Sequence, residues 1–516
     1  MLLWLALSTL QAATPQLHYT FTVDGPRLNI ELAIRHFPPQ TRLIIPTAWG
    51  NATDLQNGIQ NLRAIEGTLT ADTLQTAHGQ ARIAYTLIQD WTGPLNERTR
   101  HRPHLDASHF EINTANALVY PDIDLARQVD ASFTYRLPAS WTLATSFGAD
   151  ANPRPNHRQR FRGPWDAVSN AMFAAGDFRL SYLKTGKSTI VTAIRGRFSF
   201  TASEFDSQIA KLLQFERDFF RDQQFPYFLV TLAAYAPGQS GSGGGGFTNA
   251  FNLHTGPESK LSADLLSLIA HETFHTWNPL KMGRQRGPSI TLSWFTEGFT
   301  RYYQDIILLQ AGTISQQQYL DSLNTRIRNY HWETHSSSSR PGDLLPQRGN
   351  MLALWLDEQI RTQSKAKASL DQVMLALFAE RHRAPDLDKE RILAAISRHI
   401  DAASFASFRQ QLEGTVPVEA PRKARPDCSQ REFIPLQQFD LGMDREALTV
   451  YRRVQSLRPG SAAANSGLQE GDEITGMSIY WNDTSKPVKL TTKAGLRVQY
   501  TPAGPTIGQV PRYTCP

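Results

Sequence analysis

The first 160 residues alternate apolar and polar positions. His18-Tyr19-Thr20-Phe21-Thr22-Val23 and Leu28-Asn29-Ile30-Glu31-Leu32-Ala33-Ile34 both run with period two, which sorts side chains onto the two faces of a strand. The Asp24-Gly25-Pro26 turn parts them. The pattern predicts an antiparallel β-sandwich over residues 14–160, with a scaffolding role and no catalytic cluster. Asn152-Pro153-Arg154-Pro155-Asn156 reads as a linker. Beyond it the period lengthens. Ser203 to Arg221 reads as an amphipathic helix, Phe228-Leu229-Val230-Thr231-Leu232 as a strand, and helical patterns dominate from about Leu261 to Arg409. Strands followed by a helix-rich body make an α+β multidomain plan rather than a repeating βαβ one.

Composition changes this picture little. A chain of 516 residues suggests roughly three to four domains. With 41% apolar and 19% charged residues it is ordinary for a globular protein. The net charge of +6, from 53 basic and 47 acidic residues, is weak over this length. There is no dense Lys/Arg tract and no C-x-x-C pair, so nucleic acid is not an expected partner. Lys281, Arg284 and Arg286 form a small basic group, read as a solvated loop or as a preference for acidic peptides.

The start, Met1-Leu2-Leu3-Trp4-Leu5-Ala6-Leu7, with Ala12-Ala13 after it, resembles a signal peptide over residues 1–13 without a basic n-region. A buried first strand or a misassigned start is the alternative. Export to a periplasmic or extracellular compartment follows from the first reading. No run of about 18 apolar residues occurs, so no transmembrane segment is expected. In an exported protein the two cysteines, Cys428 and Cys515, are expected to pair. Such a bridge would contribute on the order of 4–5 kcal/mol in the chain-entropy model. Two unpaired thiols are the alternative.

Chemistry concentrates in one place. His271-Glu272-Thr273-Phe274-His275 has the H-E-x-x-H arrangement of a zinc hydrolase. On a helix predicted from Leu261 to Asn278, stopped by Pro279, the two histidines sit one turn apart and project from one face. Glu272 is rotated by about 100° and suits a general base rather than a ligand. A third ligand is needed. Histidine at 281 would supply it in the longer zincin pattern, but Lys281 stands there. Glu297, in the aromatic run Trp294-Phe295-Thr296-Glu297-Gly298-Phe299, is the better candidate, because a carboxylate in such surroundings needs a cationic partner. Chance occurrence with two ordinary core histidines is the alternative. The glycine-rich run from Gly238 to Gly246 reads as a flexible loop or as a close backbone approach to a substrate.

These motifs resemble the glycyl aminopeptidase family of zinc metallopeptidases, of gluzincin type. Further support comes from Gly349-Asn350-Met351-Leu352-Ala353-Leu354-Trp355 and Ser369-Leu370-Asp371. The resemblance implies an N-terminal β domain, a thermolysin-like, mostly α catalytic domain over 161–425, and a C-terminal PDZ-like β domain over 426–516. Gly460-Ser461-Ala462-Ala463 running into Gly467-Leu468-Gln469-Glu470-Gly471-Asp472 looks like the PDZ signature, and such domains capture peptide C-termini by strand addition. Phe439-Asp440-Leu441-Gly442 matches its binding loop weakly. The resemblance further implies one zinc ion held by His271, His275 and Glu297, with Glu272 as base and peptides or proteins as substrates. Gly245, Gly246 and Thr248 fall where the family contacts substrate. Two positions depart from it. Thr248 stands where members carry a glutamate for the substrate's amine, and a neutral hydroxyl cannot pair with an ammonium as a carboxylate does. Pro346 stands where members carry a tyrosine. Losing an oxyanion stabiliser costs on the order of 10²–10³ in rate unless it is replaced, and Tyr330 and His331 are the nearby substitutes. The expected function is a zinc peptidase, aminopeptidase-like. The alternative is a peptide-binding PDZ protein with a weakened or inactive peptidase domain.

Overall fold

The computed structural model describes residues 13–222, 227–239, 241–285, 289–335, 345–424 and 430–515. The expected signal segment falls almost entirely outside them. Two compact units divide the chain, Met1–Thr276 and Trp277–Pro516.

The first unit opens with the sandwich. A six-stranded sheet runs in the order His157–Pro164, Gln128–Arg136, Gln16–Asp24, Arg27–Arg35, Gln80–Ile88, Ile59–Glu66. A five-stranded sheet runs His104–Leu105, His109–Asn113, Met172–Gly176, Thr142–Thr145, Gly148–Asp150. The alternating apolar faces meet between them. Phe21 stands 5.5 Å from Phe173 and 6.5 Å from Phe110, ring centre to ring centre, and all three rings are buried. Aromatic pairs at these spacings add to what area burial alone supplies. Two expectations are corrected here. The sandwich is not wholly antiparallel, because Gln16–Asp24 pairs in parallel with Gln128–Arg136. Residues 152–156 are not an interdomain linker but the turn that joins Gly148–Asp150 to His157–Pro164. Proline and asparagine serve a reversal there, with Asn156 in the left-handed region at φ 58°.

A third sheet carries the chemistry. Its order is Arg179–Thr185, Ser188–Arg195, Tyr227–Ala234, Ala250–Thr255, Ser242–Phe247. Ser188–Arg195, Tyr227–Ala234 and Ala250–Thr255 run parallel. Parallel neighbours need a crossover, and the helix Ala202–Phe219 supplies the first. It starts at a capping box in which Thr201 and Glu204 satisfy each other's backbone N–H. The glycine-rich run is therefore a loop only in its first part. Gly243 to Gly246 lie in an edge strand paired antiparallel with Ala250–Thr255.

The second unit is helical up to Glu413, as the sequence predicts. Its helices include Ser293–Thr296, Gly298–Gln310, Gln316–His335, Leu345–Gln363 and Leu370–Ala379. A small β body follows. Gln430–Phe439 pairs with Ala503–Thr514, and a three-stranded sheet joins Ile474–Ser478, Val488–Thr492 and Arg497–Tyr500. Leu448, Val454, Ala463 and Leu490 are buried in its own core. Cys515 is disulfide-bonded. Cys428, the other cysteine of the chain, lies outside the described residues. Among the described residues no helix is long and apolar enough to cross a membrane.

Candidate functional site

The helix that carries the two histidines spans Ala263–Phe274. Ser262 caps it, its hydroxyl accepting the Leu265 N–H at 3.3 Å. Leu265, Leu266, Ile269, Ala270, Thr273 and Phe274 turn into the core, while His271, Glu272 and His275 stay half-buried. The helix ends four residues sooner than Asn278. Thr276–Lys281 forms a wide π-type turn in which Asn278 leaves helical geometry at ψ 99°. His275 keeps a helical backbone at the C-cap, so the one-turn spacing survives. The two Nε2 atoms lie 3.2 Å apart, with the rings nearly perpendicular at 87°. That separation suits two nitrogens that share one ion at about 2.0–2.1 Å each.

Long-range packing holds this helix. The Thr273 hydroxyl, fully buried, lies 2.9 Å from Glu216 Oε1 on the helix Ala202–Phe219. Burial pushes the Glu216 carboxyl well above its ordinary value, so it is held protonated and neutral. The glycine strand runs along the other flank. The Cβ position of Gly246 is 3.6 Å from His275 Cβ and 3.8 Å from the Glu272 carbonyl. Gly245 faces Asn252 instead, 3.3 Å from its Oδ1. Thr248 sits in the turn after the strand and donates its backbone N–H to the Asn170 carbonyl at 2.8 Å.

Glu297 belongs to the second unit, at the junction of Ser293–Thr296 and Gly298–Gln310. Two glycines fix that junction. A Cβ at Gly298 would come within 2.5 Å of Gly349 Cα, and one at Gly349 would overlap the Trp294 carbonyl oxygen. Only glycine permits the helix Leu345–Gln363 to approach so closely. Asn278, fully buried, donates from Nδ2 to the Phe295 carbonyl at 3.2 Å and to the Thr300 hydroxyl at 3.1 Å. It thus grips the chain on both sides of Glu297. Burial pulls Arg301 below its ordinary value, and the Glu297 carboxylate opposes that shift.

The candidates around the second departure separate. Tyr330 is buried, and its hydroxyl accepts the Val418 N–H at 3.2 Å, which makes it a packing anchor. His331 keeps a buried Nε2 without a hydrogen bond among the described residues. Of the basic group, Arg284 is tied to Asp386 at 3.0 Å and Lys281 lies over Trp277, while Arg286 falls outside the described residues. Arg284 is therefore a structural ion pair. Sequence reasoning also missed a buried trio in the first unit, His104, Glu111 and His254. Its members are scattered along the chain, so no local motif marks them.

No curated protein matches the chain. Among solved structures, an aminopeptidase N family protein from Idiomarina loihiensis is similar at a TM-score of 0.69 and 17% identity, covering 96% of this chain and 98% of its own. That likeness establishes the fold. An M1 zinc metallopeptidase from Deinococcus radiodurans is more distant, at a TM-score of 0.49 and 15% identity over 80% of this chain and 96% of its own. The M61 glycyl aminopeptidase family model matches residues 264–343. The segment that holds His271, Glu272, His275 and Glu297 is thus similar to the M61 glycyl aminopeptidase family.

Proposed function

We propose that the chain is a zinc peptidase in which His271, His275 and Glu297 hold one zinc ion and Glu272 is the general base. The observation that carries this reading is the His271–His275 pair, with Nε2 atoms 3.2 Å apart on a helix whose other face is buried. The donor set of two imidazoles and one carboxylate fits a catalytic zinc site with a position left open. When bound, zinc supplies Lewis acidity and lowers the pKa of water at the scissile amide. Glu272 would act as the base that takes a proton from the attacking water as its oxygen adds to the amide carbon, and would pass that proton to the amine as the C–N bond breaks. The Ser242–Phe247 edge strand offers backbone for an extended peptide to pair with. Thr248 sits where the family's amine-binding glutamate would be, so recognition of a free N-terminus needs another carboxylate or is relaxed. The reading remains aminopeptidase-like on the strength of the family. The C-terminal β body, with its Ser461-capped helix Ala462–Asn465, is read as a PDZ-like binder of peptide C-termini. The Cys515 disulfide supports export to an oxidising compartment.

Mass-spectrometric mapping of products from a peptide library tests the reading. Stepwise loss of N-terminal residues, dependent on zinc, is the expected result. Internal cuts would make it an endopeptidase. Capture of peptides without turnover by zinc-loaded protein would favour the binding-only alternative.

A further inference from the structure

The first unit holds a second set of metal-type donors, far from any motif. His104 and Glu111 are cross-strand partners on His104–Leu105 and His109–Asn113. His254 lies on Ala250–Thr255, in register with Gly243 of the glycine strand. Their relative exposures are 4%, 4% and 1%. Each residue offers one ligand atom, and these atoms lie within 4.8 Å of one another.

Two buried atoms of the trio lack a hydrogen bond among the described residues: Glu111 Oε2 and His254 Nε2. The near approach of His254 Nε2 to Glu111 Oε1, at 3.5 Å, is too long to satisfy either. Glu111 Oε1 is already engaged, accepting from Asn252 Nδ2 at 2.9 Å. His104 donates from Nε2 to the Thr99 carbonyl at 3.2 Å, which leaves the lone pair of Nδ1 for the cluster. A backbone carbonyl on the far ring nitrogen is the usual outer partner of a metal-bound histidine. Burial pulls both imidazoles down, to about 3 each, so they are neutral and able to ligate. The Arg100 charge bears on His254, but its Nη1 is engaged by the Gly244 carbonyl at 2.9 Å. A cavity of about 10 Å³ borders His104, Glu111 and Asn252, room for one small body.

We propose that His104, Glu111 and His254 form a second, structural metal site for a zinc-type divalent cation. Two imidazole nitrogens and one carboxylate suit zinc or a similar late first-row ion, whereas calcium and magnesium require oxygen-rich shells. The ion would join the five-stranded sheet of the sandwich to the sheet that carries the glycine strand. It would fix that strand from behind.

The test uses the full chain with His271→Ala and His275→Ala, which removes the first proposed zinc. After loading with zinc and desalting, elemental analysis is expected to find about one zinc per chain. Adding His104→Gln and His254→Gln should cut that at least about tenfold. If circular dichroism shows that this variant does not fold, Glu111→Gln in the same background replaces it, and zinc should pass to a chelator about 10–100-fold more readily. Less than about 0.1 zinc per chain in the first variant, the cavity then holding a water only, overturns the proposal. So does zinc retention unchanged by substitutions in the trio. Failure of the first site would show separately, as equal zinc in wild type and the His271/His275 variant.

Discussion

The two histidine clusters of the first unit contrast in how they are made. His271 and His275 lie one helical turn apart, and a single helix brings them together. His104, Glu111 and His254 come from three strands in two sheets. The helical pair is half-buried, while the strand trio is closed off. A local cluster needs only a helix to form, so it can sit at a surface and serve chemistry. A cluster built by sheet packing exists only in the folded core, and suits a structural role. The contrast is not complete, because the local cluster is also positioned from far away. Thr273 meets Glu216 across 57 residues of sequence.

Four outcomes would break or sharpen this contrast. The largest concerns the local pair. His271→Ala should abolish zinc-dependent peptide hydrolysis while leaving the fold intact by circular dichroism; residual turnover above background would place the chemistry elsewhere. Next comes the glycine contact. Gly349→Ala forces a methyl into the Trp294 carbonyl and should destabilise the chain by about 1–3 kcal/mol in denaturant unfolding. Activity should fall with it, since Trp294 lies in the short helix Ser293–Thr296 that leads into Glu297. Glu111→Gln should lower the melting temperature of zinc-loaded protein by several degrees, and that of stripped protein by less. Equal shifts would make the trio an ordinary polar core. The smallest effect is at Glu216. Its folded pKa is raised, so the folded state holds a proton that the unfolded chain releases above about pH 4.5. Stability from this group is fully present below that pH and is lost as pH rises toward the folded pKa. Glu216→Gln should therefore flatten the stability–pH curve from about pH 4.5 upward; an unchanged slope would assign the pH dependence to other groups.

Legibility in the sequence follows the same division. Period-two patterning gave the sandwich strands, because solvent on one face and core on the other imprint alternation directly. It could not show that Gln16–Asp24 pairs in parallel with Gln128–Arg136, since register with a distant strand leaves no local mark. Gly243 to Gly246 looked like a loop by composition, yet pairing with Ala250–Thr255 overrides glycine's weak strand preference. Pro279 signalled a stop at Asn278, but the α-helix ends at Phe274 and Pro279 lies inside the wide turn Thr276–Lys281; the proline accounts only for Asn278, the residue before it, leaving helical geometry. Of the candidate site, the one-turn approach of His271 and His275 was readable from their spacing. Asn278, Glu216 and the buried trio were not, because Asn278 and Glu216 find their partners 17 and 57 residues away and His254 lies 150 residues from His104.

The central claim is that Glu272 moves the proton in a zinc-dependent hydrolysis. The most direct measurement compares peptide turnover by wild type and Glu272→Gln at matched zinc content. The account predicts a fall of about 10²–10⁴-fold in kcat with zinc occupancy unchanged. Equal turnover by the two proteins would contradict it.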